Sequence, residues 1–173
     1  MERAAARAVA RRDTYRGSGA WTAAPVDLVA DALAAFPDRV ALVDRRTTLT
    51  YAEVDDAVGR AATALHRLGV DPGDSVLLAI GNTVDAVVAI HATWRAGAVA
   101  LLAGTSSGSA FVADVLAQSS PRVALAPREW IDAPGWHALE NLGAGDAVES
   151  FPARDPDDPA MVFFTSGATS CPR

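Results

Sequence analysis

The last nine residues, Thr165-Ser166-Gly167-Ala168-Thr169-Ser170-Cys171-Pro172-Arg173, gather hydroxyls, small side chains and a cation directly behind the apolar run Met161-Val162-Phe163-Phe164. Backbone amides and hydroxyls donate hydrogen bonds and a cation offsets negative charge, so this composition suits a loop that wraps a polyphosphate. It is not a Walker A loop, which needs a Gly-Lys pair after four intervening residues. All fifteen basic residues are arginines and none is lysine, so the chain has neither an amine nucleophile nor the compact ammonium charge of a phosphate-handling lysine.

A second stretch, Gly104-Thr105-Ser106-Ser107-Gly108, fits the G-x-S-x-G pattern of a hydrolase nucleophile elbow. A hydrolase then needs an acid and a histidine after the serine, and the only later histidine is His137, with Asp132 just before it. The favoured reading is a Gly- and Ser-rich turn between strand and helix, with a small serine hydrolase using Ser106 as the lesser alternative. His66, His91 and His137 are scattered with no second ligand at metal spacing, so no metal site is expected. His91 falls on the stripe Val84, Val87, Val88, His91 and reads as a core or boundary histidine, and Trp130 and Trp136 read as packing residues.

A loop at the end of a strand must be positioned by a sheet, and the patterning supplies one. Val26 to Phe36 reads as a helix behind Pro25 that Pro37 stops, followed by a hairpin of Arg39 to Asp44 and Thr47 to Leu49. Thr50-Tyr51-Ala52-Glu53 is a capping box that opens a helix to Leu68, with Gly69 as its stop. Ser75 to Ile80 reads as a buried strand, and Asn82 as the cap of a helix through Ala96 that Gly97 ends. The strand Ala98 to Leu102, helix Ala110 to Gln118, strand Arg122 to Ala126 and short helix Trp136 to Leu142 follow. A polar loop, Asp155 to Pro159, leads to the strand Met161 to Thr165. This alternation predicts an α/β fold with a mostly parallel sheet.

With 173 residues, half of them hydrophobic and 21% charged, the chain falls in the globular class, and its net charge of −6 excludes a basic face for nucleic acid. The apolar runs Ala86 to Ile90 and Ala98 to Ala103 fall far short of the roughly 18 residues of a membrane span. A single cysteine, Cys171, leaves no internal disulfide and points to the cytoplasm. Met1 to Arg16 is rich in Arg and Ala but carries Glu2 and Asp13 and little serine, so it reads as a frayed helix rather than a transit peptide.

Three segments in order carry a family resemblance. Leu49-Thr50-Tyr51-Ala52-Glu53-Val54 resembles an "LTYxEL" motif, Trp94-Arg95-Ala96-Gly97-Ala98-Val99 an "AG-A-hydrophobic" motif, and Phe164 to Arg173 a "YTSGTTGxPK" signature loop. From Leu28 to Arg173 the sequence thus resembles the AMP-forming acid ligases: acyl-CoA synthetases, peptide-synthetase adenylation domains and luciferases. Tyr15, Gly17 and Trp21, with Pro127-Arg128-Glu129-Trp130, are most similar to acyl- or aryl-acid CoA ligases. The resemblance implies an extension at 1–24 and an incomplete N-terminal AMP-binding domain at 25–173. It implies an ATP phosphate-binding loop made of Thr165, Ser166, Gly167, Ala168, Thr169, Ser170 and Arg173. ATP, magnesium, a carboxylic acid and coenzyme A are the implied cofactors and partners of the complete enzyme, without nucleic acid or membrane. The adenosine contacts, the magnesium carboxylate and the adenylation lysine lie downstream in that family, so this stretch is expected to be inactive alone and to bind no cofactor tightly. A non-enzymatic binding module, or one half of a split ligase completed in trans, is the alternative.

The loop departs from the family pattern at three positions. Ala168 replaces a hydroxyl whose bond to a charged phosphate is worth about 1.5–3 kcal/mol. Ser170 replaces a glycine and costs about 1–2 kcal/mol wherever a left-handed backbone is required. Arg173 replaces a lysine, keeping charge and changing shape.

Overall fold

The computed structural model of the chain describes residues 11–21, 28–131, 135–143, 145–147 and 157–164. Residues 11–17 are helical (α1), and α2 (Leu28–Ala35) stops short of Pro37. The strands β1 (Val40–Val43) and β2 (Thr48–Thr50) form an antiparallel pair. Their turn is held by Asp44, whose Oδ1 accepts from the Arg46 and Thr47 amides at 2.8 Å each.

The capping box forms as read. In α3 (Tyr51–Arg67) the Glu53 amide donates to Thr50 Oγ1 at 3.3 Å and the Thr50 amide donates to Glu53 Oε2 at 2.8 Å. Such a cap contributes about 0.5–2 kcal/mol because it satisfies amides that have no partner inside the helix. At the other end Gly69, at φ +82°, closes a Schellman turn: its amide donates to His66 O and the Val70 amide to Leu65 O. The same closure recurs after α4 (Val84–Arg95), with Gly97 donating to Trp94 O and Ala98 to Thr93 O.

Five strands make one parallel sheet in the order β6-β5-β3-β4-β7: β3 (Ser75–Ile80), β4 (Val99–Gly104), β5 (Val123–Ala126), β6 (Trp136–Ala138) and β7 (Met161–Phe163). Successive side chains point to opposite faces, so each central strand feeds two cores. Val76, Leu78, Ala100 and Leu125 pack with α3 and α4, whereas Leu77, Ala79, Leu101 and Ala124 pack with Val112 and Val115 of α5 (Ser109–Ser119). Burial on both faces explains why these strands read as continuous apolar runs rather than alternating ones.

Three expectations are corrected. The cap of α4 is Thr83, not Asn82: Thr83 is extended, at φ −132°, and its Oγ1 accepts from the Ala86 amide at 3.2 Å. The segment Trp136 to Leu142 is not a helix. Among the described residues Trp136–Ala138 pairs with β5 as the sheet's outer strand, and Leu139–Asn141 turns as a 3-10 helix. The buried stripe of α4 runs through Val84, Ala86, Ala89, Ala92 and Thr93, leaving Val87, Val88 and His91 half-buried at its margin.

Candidate functional site

Parallel strands present all their carboxyl ends on one edge, and in open α/β sheets ligands bind outside that edge. Here the edge collects the turn after β3 (Gly81 to Thr83), the Ser-rich turn after β4 and the exit from β7. The register Ala100↔Met161, Leu101↔Val162, Leu102↔Phe163 seats β7 directly beside β4 and aims the chain at the same edge. Thr165, Ser166, Gly167, Ala168, Thr169, Ser170 and Arg173, the seven phosphate-loop positions read from the sequence, lie outside the described residues.

The approach to that loop is held at two points. Trp94 Nε1 donates to Ala160 O at 2.8 Å, and the same carbonyl accepts from the Ala100 amide at 3.0 Å. Three residues earlier, the Asp157 carboxylate receives Arg12 Nη1 at 2.9 Å and Arg16 Nη2 at 2.8 Å. Residues 11–17 of the predicted frayed helix are therefore anchored. Tyr15 and Trp21, in the same lead-in, stack on each other with ring centroids 5.1 Å apart.

On the α4 side the edge carries two carboxylates, Asp44 and Asp85, with Arg46 close by. Asp44 Oδ2 accepts from the Val84 amide at 2.9 Å, so the α4 N-terminus, the usual place for a phosphate in such folds, already holds a carboxylate. Hydrogen bonds from the Val84, Arg46 and Thr47 amides hold the Asp44 carboxyl below its ordinary value. Asp85, next along, is pushed upward by burial and then by the charges of Glu140 and Asp44. Arg46 acts on both carboxylates, so this flank carries charges of both signs. Among the described residues no group of three His, Cys, Asp or Glu side chains is placed to hold a metal ion.

Ser106 sits in a single 3-10 turn, Thr105–Ser107, followed by Gly108 at φ +87°. Thr105 Oγ1 donates to Ile80 O at 3.4 Å, tying this turn across to β3. Among the described residues Ser120 is the sole non-glycine with positive φ, so Ser106 lacks the strained backbone of a nucleophile elbow. His137 lies on β6, three strands from β4, a lateral separation of about 14 Å at normal strand spacing. That is too far for a serine–histidine hydrogen bond. His91 packs edge-on against Trp94 at 5.0 Å, and His66 is exposed at the end of α3. Asp132 lies outside the described residues.

A cavity of about 710 Å³ opens on the α5 side, between Ser109, Val112, Leu116, Glu129, Trp130 and Trp136. Both tryptophans also pack against the second core, so their packing role holds. Sequence reasoning missed the Asp157 clamp, the Trp94 bond and the Asp44 cap. Each joins residues far apart in the chain, and only the local half of the Asp44 turn, Asp44 to Thr47, leaves a readable trace.

A model of the family described as "AMP-binding enzyme" matches residues 29–173. The chain belongs to the AMP-binding enzyme family. It is 30% identical to the salicyl-AMP ligase / salicyl-S-ArCP synthetase of Mycobacterium tuberculosis, over 94% of this chain and 34% of that protein. It is 31% identical to the 2-succinylbenzoate–CoA ligase of Geobacillus kaustophilus, over 79% of this chain and 29% of that one. Among solved structures, the Klebsiella oxytoca NpsA N-terminal subdomain in complex with 3-hydroxyanthranilyl-AMSN matches with a TM-score of 0.73 and 26% identity, over 87% of this chain and 39% of that one. The chain thus spans about a third of the length of these AMP-binding relatives.

Proposed function

We propose that this chain supplies the N-terminal part of an ATP-dependent, AMP-forming carboxylic acid ligase. In the proposed reaction a carboxylate oxygen attacks the α-phosphorus of ATP and the bond to the β-phosphate breaks. Pyrophosphate leaves, and an acyl-adenylate remains for transfer to coenzyme A or a carrier-protein thiol. Thr165 to Arg173 hold the departing pyrophosphate through amides, hydroxyls and the Arg173 guanidinium. The observation that carries this reading is the parallel pairing of β7 with β4, which aims the chain toward the carboxyl edge of the sheet just before the hydroxyl-rich sequence begins. The Asp44 carboxylate supports it by already taking the Val84 amide at the α4 N-terminus, where a phosphate would otherwise bind.

An aryl acid of the benzoate type is the favoured substrate class. Its support is the similarity to a salicyl-AMP ligase over 94% of the chain, which takes in the lead-in with Tyr15, Gly17 and Trp21. Residues 1–24 act as an extension and 25–173 as part of the AMP-binding domain, in the cytoplasm. No described helix is long and apolar enough to cross a membrane. The remaining catalytic contributors come from further ligase sequence, in cis or in trans. Magnesium accompanies ATP, and no described residue is assigned to it.

The test is an amide NMR titration of the 173-residue chain with ATP and with pyrophosphate at millimolar concentration. Shifts should concentrate in 165–173 and vanish in Arg173→Ala. Absent or scattered shifts would refute the loop assignment. ATP–pyrophosphate exchange with benzoate or salicylate should stay at the no-enzyme level for this stretch alone, and exchange above it would show that the stretch carries the whole reaction.

A further inference from the structure

The two arginines that converge on Asp157 come from outside the family match, which begins at residue 29. They lie one helical turn apart on α1, so their guanidiniums project from one face and reach the two carboxylate oxygens separately: Arg12 takes Oδ2 and Arg16 takes Oδ1. Asp157 stands four residues before Met161, the first residue of β7, and Ala160 between them is held by Trp94 and Ala100. The short entry to β7 is thus pinned from α1, from α4 and from β4. All three charged side chains are about one-third exposed, at 34%, 35% and 36%, so water screens the pairs without dissolving them. Among the described residues β7 is a three-residue strand paired with β4 on one side, so an external tether can add to its protection.

We infer that α1 is a strap that positions β7, with Arg12 and Arg16 as positioning residues acting through Asp157. On the phosphate-loop reading above, a segment outside the family match thus acts on the strand that leads into that loop. The inference about β7 stands apart from that reading, because the test below needs no nucleotide.

The experiment is hydrogen exchange by NMR on the 173-residue chain, comparing wild type with Arg12→Gln/Arg16→Gln and with Asp157→Asn. The Val162 amide, which faces β4, and the Trp94 indole N–H should exchange about three- to ten-fold faster, while β3 and β5 amides and the denaturation midpoint change little. The Trp94 indole resonance should move, since its acceptor Ala160 sits beside the released segment. The swap Arg12→Asp/Arg16→Asp/Asp157→Arg should restore part of the protection. In wild type, raising sodium chloride to about 1 M, where the Debye length is near 3 Å, should reproduce the local loss. Unchanged β7 exchange, or an equal rise across the whole sheet, would overturn the strap. Should the variants fail to fold, the salt series on wild type decides, a flat response at the Val162 amide counting against it.

Discussion

The carboxylate of Asp44, in the turn joining β1 to β2, accepts a hydrogen bond from the Val84 amide at 2.9 Å, 40 residues along the chain. One side chain thus closes its own turn through Oδ1 and caps α4 through Oδ2. The arrangement docks the hairpin onto the core, since α4 packs with α3 against the sheet. Three amide donors favour the charged carboxylate, which is why its folded-state value falls below the ordinary 3.8.

The first prediction follows from that lowered value. A carboxyl with a depressed folded value contributes stability above its unfolded value and loses it as pH falls through the folded one. Thermal melts should show the Asp44→Asn midpoint below wild type at neutral pH, with the gap narrowing below pH 3.8. A gap that stays constant with pH would show that the carboxylate's charge is not what stabilises the turn.

Asp85 should behave with the opposite sign. Its position in the first turn of α4 favours an anion through the helix dipole, yet burial and the charges of Glu140 and Asp44 outweigh this and raise its folded value above 3.8. A raised carboxyl binds its proton more tightly when folded, so its contribution is favourable at low pH and is lost as pH rises from 3.8 through the folded value. Asp85→Asn should therefore raise the melting midpoint at pH 7 relative to wild type and leave it nearly unchanged at pH 3. A lower midpoint at pH 7 would mean that the helix dipole dominates.

The outer edge of β7 carries the third prediction. Among the described residues β7 closes the sheet on that side, and Val162 and Phe163 are 39% and 68% exposed. Val40 and Val43 of the hairpin are also exposed, at 58% and 68%. An open apolar edge templates pairing with another chain, and a lysine placed there discourages it. Sedimentation of the 173-residue chain at micromolar concentration should show association, and Phe163→Lys should reduce it. A wild-type chain that remains monomeric across that range would show that the edge is already protected.

Much of this fold was determined by neighbouring residues, and those parts could be read directly. Thr50 and Glu53 are three residues apart, so their capping box is a local matter, as are the Schellman closures at Gly69 and Gly97. Ser75–Ile80 is fixed by an apolar run that admits burial on both faces. Trp136 to Ala138 was misread because a three-residue strand has no period of its own: it is extended only because β5 offers an open edge at Ala124 to Ala126. The cap of α4 by Asp44 and the clamp on Asp157 were invisible for a related reason, since their partners lie 40 and more than 140 residues away. For the candidate site, the sequence determined which groups Thr165 to Arg173 contain, because donor chemistry belongs to residue type. Tertiary structure decided where β7 points before them, because strand order and register arise from which apolar faces can be buried together.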